Sequence, residues 1–108
     1  MINIKVFKKD SVYTGFEVSG HAGYAEYGHD IVCAAVSMLV LNTINSIETF
    51  TGDHFSAEAE EESGYIKFQL EDTISNDSKL LLNSLVLGLQ GVAEEYNKEY
   101  INLEVKEV

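Results

Sequence analysis

The chain has 108 residues, of which 45% are hydrophobic; that suits one domain with a single core and excludes a disordered polymer. Seven basic residues against 18 acidic ones leave a formal charge of −11, a field that repels phosphate backbones and argues against a nucleic-acid binder. The same field favours the approach of a basic protein, although acidity also serves simply to keep a protein in solution.

Ile2, Ile4 and Val6 alternate with Asn3, Lys5 and Phe7, which predicts a strand from Ile2 to Lys8. Nothing in this opening stretch resembles an export signal. After a turn at Lys9-Asp10-Ser11, residues Val12 to Ser19 alternate again, with Val12, Thr14, Phe16 and Val18 on one side. Two strands joined by a short polar link predict an antiparallel hairpin. Gly20 to His29 then reads as a loop punctuated by Gly20, Gly23 and Gly28. Asp30 is a good N-cap for a helix beginning at Ile31. That helix is expected to run to about Phe50 and stop at Gly52 as a C-terminal glycine. Its first half is apolar nearly all round, so its N-terminal end should be the drier one. The longest apolar run, Ile31 to Leu41, is short for a membrane span and contains Ser37.

His54 to Glu61 and Tyr65 to Glu71 read as a second hairpin turning at Ser63-Gly64. The run Glu58, Glu60, Glu61, Glu62 is read as a solvated face that discourages edge pairing. Asn76 or Ser75 caps a second helix, Ser78 to Asn97, expected to bury Leu80, Leu81, Leu82, Leu85, Val86, Leu87, Leu89 and Val92. Gly88 and Gly91 on its adjoining turns cost about 1 kcal/mol each against alanine, so close packing should compensate. Ile101 to Val108 closes the chain as a strand. The order β-β-α-β-β-α-β predicts an α+β two-layer sandwich, a mainly antiparallel sheet covered by two helices, in one domain spanning 1–108. Leucines around more than half of the second helix suggest a symmetric dimer.

Cys33 is the only cysteine. It cannot form an internal disulfide, which agrees with a cytoplasmic protein. With Asp30 as cap, Cys33 is the third helical residue, where unpaired N–H groups and the helix dipole favour a thiolate. Free cysteines beside residues such as Val32 and Ala34 are commonly core filler, and on the residues alone that reading leads. His21 lies between Gly20 and Ala22 at the end of a strand, a poor place for a core histidine. Across a loop able to fold back, it can serve Cys33 as general base and then general acid. Asp30 can orient the imidazole, but only in competition with capping, and helix N–H groups can hold an oxyanion. Three rivals are weaker. His21, His29, Cys33 and His54 are zinc-type ligands without the paired spacing of a structural site, so no metal is assigned. A phosphate cradle lacks a following Lys-Ser/Thr. An acidic interaction module with no chemistry would leave Cys33→Ser silent.

The run GHAGYAEYGHDIVCAAVS, Gly20 to Ser37, resembles the ribosomal-processing cysteine proteases of Firmicutes and relatives, the Prp family, and the resemblance extends over essentially the whole chain. It implies a cytoplasmic cysteine endopeptidase that needs no cofactor. That enzyme removes the N-terminal extension of large-subunit ribosomal protein twenty-seven, a basic protein, cutting after a hydrophobic segment that ends in paired aromatics. It implies Cys33 as nucleophile, His21 as general base, and Asp30, Ser37 and Gly20 as supporting residues, with Gly20 a hinge. Gly23, Tyr24, Tyr27 and Gly28 fall in the loop expected to close over the peptide. The resemblance also implies a homodimer, with no direct contact to nucleic acid or membrane.

Overall fold

The computed structural model describes residues 1–20, 27–60, 62–95 and 100–108, with side chains for all of these except 27–30. The elements follow in the order β1 (Ile2–Lys9), β2 (Val12–Ser19), α1 (Tyr27–Phe50), β3 (Phe55–Glu60), β4 (Tyr65–Leu70), α2 (Asn76–Glu95) and β5 (Ile101–Glu107). They build one five-stranded sheet in the order β3-β4-β2-β1-β5. Both predicted hairpins, β1–β2 and β3–β4, are antiparallel, as is β2–β4. β5 returns from α2 and lies parallel to β1 in the register Ile2↔Ile101, Ile4↔Leu103, Val6↔Val105. The sheet is therefore mixed but mainly antiparallel, with both helices on one face.

The alternation of the strands decides that face. Ile2, Ile4 and Val6 of β1 meet Phe16 and Val18 of β2 and Phe68 and Leu70 of β4, all buried. Between the helices and this face sit Val32, Val36, Val40 and Ile47 of α1 and Leu82, Leu85, Val86 and Leu89 of α2. The alternation of β2 breaks at Thr14, where the register with β1 slips by one residue, a bulge that strengthens local twist.

The buried stripe on α1 is narrower than its composition suggests. Val32, Val36 and Val40 are buried, whereas Ala34, Ser37, Met38 and Leu41 are exposed, so the N-terminal half is not dry all round. Ile31–Phe50 is long and apolar enough to pass for a membrane span by length and composition. Its buried residues nevertheless recur at the helical spacing of a core helix, and buried Thr43 settles its hydroxyl on the Leu39 carbonyl at 2.8 Å. The end of α1 also differs from expectation. Gly52 does not take a left-handed conformation; the Thr51 N–H and hydroxyl both donate to the Ile47 carbonyl, at 3.1 and 2.7 Å, and close the last turn instead.

In α2, Leu80 and Leu87 are 67% and 71% exposed rather than buried, because only one stripe of a leucine-rich helix can face the sheet. Gly88 does meet close packing, since a Cβ there would stand 3.0 Å from Leu39 Cδ2, whereas Gly91 faces open space. The helix begins at Asn76 with Ser75 as its cap: the Ser75 hydroxyl accepts from the Ser78 N–H at 3.2 Å and donates to Asp53 at 2.8 Å. Ser75→Ala is expected to cost about 1 kcal/mol of stability, measured by urea unfolding; an unchanged midpoint would show that the cap contributes nothing. The Ser78 hydroxyl beside Asp53, although outside direct hydrogen-bond geometry, and the Ser75 N–H and hydroxyl hold the Asp53 carboxyl below its ordinary range. A carboxyl depressed in the folded state adds stability above its unfolded value, about 3.9, and loses it as pH falls through the folded value. Asp53→Asn should accordingly remove part of the acid sensitivity of unfolding.

Candidate active site

Along α1, Cys33, Val36, Ser37, Val40 and Leu41 fall at intervals of three and four residues and share one flank of the helix. That flank and the sheet enclose a cavity of about 290 Å³. Ile2 of β1, Val18 of β2 and Gly20 just after it form the floor and one end. The opposite wall comes from the second hairpin: Ala59 and Glu60 of β3, Gly64 in the turn, and Tyr65 and Ile66 of β4. Cys33 is half-buried, with its neighbour Val32 pointing into the core. Cys33 packs against the core cluster as well as lining the cavity, so unlike the enclosed Val32 it also belongs to the cavity wall. Polar side chains on this otherwise apolar lining are few, notably Cys33 and Ser37. Apolar walls with a small number of placed polar groups are the usual make-up of a substrate site.

Two left-handed glycines shape the rim. Gly20 has φ of 81° and Gly64 of 65°. The Gly20 N–H donates to the Ser63 carbonyl at 3.2 Å, tying the end of β2 to the β3–β4 turn. A Cβ on Gly20 would collide with the Met1 carbonyl. Gly20→Ala therefore combines a left-handed conformation, worth roughly 1–2 kcal/mol, with a backbone clash. It should lower the unfolding free energy by more than about 1 kcal/mol and shift the chain just before His21. A variant as stable as the parent would show that this corner is not strained. Tyr65, on the same rim, turns its hydroxyl to the far face of the sheet and donates to Glu17 at 3.3 Å. Burial, followed by the adjacent Glu17 charge, pushes its phenol up from the ordinary value.

The structure thus brings Cys33, Ser37 and Gly20 onto one cavity. His21, Gly23 and Tyr24 lie outside the described residues. Three expectations require correction. α1 begins at Tyr27, a turn earlier than Ile31, so Tyr27 and Gly28 are helical residues rather than part of the loop. Asp30 is the fourth residue of the helix and not its N-cap. Cys33 becomes the seventh, within the hydrogen-bonded ladder; the unpaired N–H groups and the positive dipole end, which act over the first turn only, lie before it. An oxyanion site made from those free N–H groups therefore does not fall at Cys33. His54 is separated by distance from Cys33, so these two members of the zinc set do not meet. The helix runs on from Cys33 for seventeen residues at about 1.5 Å each before ending at Phe50, and His54 lies beyond. His54 is exposed and meets Asp72 at 3.2 Å. Among the described residues no group of three histidine, cysteine or acidic side chains could hold a metal.

The helix side of this cavity is legible in the sequence and the hairpin side is not. Its residues are small or ordinary, and only Gly64, read as a turn, carried a signal.

Comparison with known proteins points the same way. A family model described as cysteine protease Prp matches residues 1–102. The ribosomal processing cysteine protease Prp of Staphylococcus aureus is 33% identical over 107 residues, covering 98% of this chain and 100% of that protein. Its Bacillus subtilis counterpart is 28% identical over 91 residues, 81% of each chain. A crystal structure of the S. aureus protease in complex with a substrate peptide superposes with a TM-score of 0.89 at 31% identity, covering 98% of this chain and 100% of that one. A crystal structure from Streptococcus mutans gives 0.90 at 31% identity, over 100% of this chain and 96% of the other.

Proposed function

Because the chain belongs to the cysteine protease Prp family and is a cysteine endopeptidase of the ribosomal-processing kind, we propose that it removes the N-terminal extension of large-subunit ribosomal protein twenty-seven in the cytoplasm. The observation that carries the assignment is a half-buried, solitary thiol on the wall of an apolar cavity, with His21 the next residue along the chain from Gly20 on the rim. Cys33 is the nucleophile. His21 takes the thiol proton, the thiolate attacks the scissile carbonyl, and the protonated imidazole returns the proton to the departing amine. Water then hydrolyses the acyl-enzyme with His21 again as base. Asp30, a supporting position in the family motif, is proposed to orient His21. Ser37, one turn beyond Cys33, supplies a hydroxyl to the same cavity. With the helix dipole acting too far forward to help, activation of the sulfur rests on the imidazole.

Mass spectrometry of the extended ribosomal protein after incubation tests this reading. One new N-terminus after a hydrophobic, aromatic-ending segment is expected with the wild type and none with His21→Ala; an intact substrate with the wild type would reject it.

The enzyme is further proposed to act as a homodimer. Met38 and Leu87 are 70% and 71% exposed, and Met38 borders an open apolar groove between α1 and α2 that Gly88, Gly91 and Val92 also line. Analytical ultracentrifugation should show a dimer that Met38→Glu with Leu87→Glu converts to monomer. A wild type that sediments as a monomer at micromolar concentration would remove the proposal.

A further inference from the structure

Among the described residues the sheet ends in two strands with an unpaired side, β3 and β5, and of these only β3 borders the Cys33 cavity. The Glu71 N–H donates to the His54 carbonyl at 2.9 Å. In an antiparallel ladder, opposed residues alternate between exchanging both bonds and exchanging none. With His54 and Glu71 a bonded pair, Ser56/Gln69, Glu58/Lys67 and Glu60/Tyr65 are bonded too. Phe55, Ala57 and Ala59 consequently point their N–H and C=O groups away from the sheet, where no strand lies among the described residues. Every residue of β3 after Phe55 is exposed. Natural edges are usually blunted by charges, a bulge, a proline or a cover; β3 carries only the charges, Glu58 and Glu60, which disfavour acidic or neutral partners more than a basic one. It offers the methyl groups of Ala57 and Ala59 on the helix side, and Ala59 lines the cavity with Cys33.

We propose that the substrate peptide binds as a sixth strand along β3, its backbone bonded to Ala57 and Ala59 and its chain leading into the Cys33 cavity; this rests on the protease reading above. Strand addition of this kind takes affinity from the main chain and specificity from alternate side chains. Peptide residues opposite Ala57 and Ala59 turn toward the helix side, where Leu41 is 48% exposed and Ser37 faces the same space. The residues between them stand beside Glu58 and Glu60 on the other face. Glu58 has Lys67 across the pair, while Glu60 has only the uncharged Tyr65. The chemistry selected is an extended segment that alternates apolar and basic side chains. The same carboxylates oppose pairing of β3 with a second copy of itself, so the edge stays open to a cationic guest.

Binding can be read without turnover, which separates this proposal from the catalytic one. The probe is a fluorescent synthetic peptide spanning the junction between the extension and the mature ribosomal protein, titrated against Cys33→Ala protein by anisotropy. Each peptide amide is N-methylated in turn. Strand addition predicts losses at every second residue, about three- to tenfold for each bond removed, and none at the residues between. Ala57→Pro, added to Cys33→Ala, deletes an outward donor without touching a β4 bond and should weaken binding by a similar factor. An N-methyl scan without a two-residue period, no binding at all, or full affinity in a folded Ala57→Pro protein would overturn the proposal. Should Ala57→Pro fail to fold by circular dichroism, the N-methyl scan decides alone. Cleavage by the wild type is scored separately and bears on Cys33 and His21 only.

Discussion

Cys33→Ala is expected to lower cleavage of the extended ribosomal protein by about 10⁴-fold or more, because without a nucleophile only binding and polarisation of the carbonyl remain. Cys33→Ser should fall nearly as far. The hydroxyl keeps the shape but ionises far less readily, and the imidazole alone must then remove a much more tightly held proton. Stability provides the second reading. Cys33 is half-buried on a cavity wall rather than enclosed like Val32 or Val36, so trimming its sulfur leaves a slightly larger opening and no sealed void. Cys33→Ala should unfold within about 1 kcal/mol of the parent, below the 2–5 kcal/mol typical of truncating a large enclosed aliphatic side chain. Activity lost with stability kept is the mark of a reacting group; stability lost with activity kept is the mark of filler. The second pattern, seen by mass spectrometry and chemical unfolding on the same samples, would end the assignment.

That contrast explains how far the residues alone could carry the argument. The strands are legible because Ile2, Ile4 and Val6 fall at every second residue with Asn3 and Lys5 between them, a pattern that suits a half-buried strand and little else. The start of α1 is not, because the apolar periodicity begins at Ile31 while the helical backbone begins four residues earlier, across Tyr27, Gly28, His29 and Asp30. A glycine in a first turn reads as loop from its propensity, and the 20 residues of Ile31–Phe50 anchored to the core carry it as helix. Leu80 and Leu87 were misplaced for a different reason: leucine all round a helix does not say which stripe meets the sheet. In the site, Cys33 and Ser37 stood out as chemically capable residues at helical spacing. Ala59 and Gly64 could not, since they shape the cavity by being small and come from a hairpin more than twenty residues away in the chain. The free edge of β3 was hidden as well, because strand order depends on pairing across the whole chain.

Phe68→Ala should be the most damaging single change to the fold. Phe68 is fully buried in β4, stacked on Phe16 with centroids 5.2 Å apart and planes 17° apart, and tilted against Phe55 at 4.9 Å. Truncation removes the contacts that join β2, β4 and β3 at one point and leaves a void the surrounding strands cannot fill without moving, at a cost of about 3–5 kcal/mol. A domain of this size has only about 5–15 kcal/mol in all. At about 4–8 °C for each kcal/mol, the melting temperature should fall by at least about 12 °C. The loss also reaches the site. Ile66 and Tyr65 follow the same strand toward the cavity, and Ala57, paired with Phe68, holds Ala59 in register beside Cys33. A loosened hairpin widens the wall opposite the thiol before the whole chain unfolds, so kcat/KM should drop at temperatures where circular dichroism still reports a folded protein. Phe68→Leu, which keeps most of the volume, should restore much of both properties. A Phe68→Ala protein that melts within 3 °C of the parent, a shift of well under about 1 kcal/mol, would mean that the aromatic cluster does not hold the hairpin to the sheet.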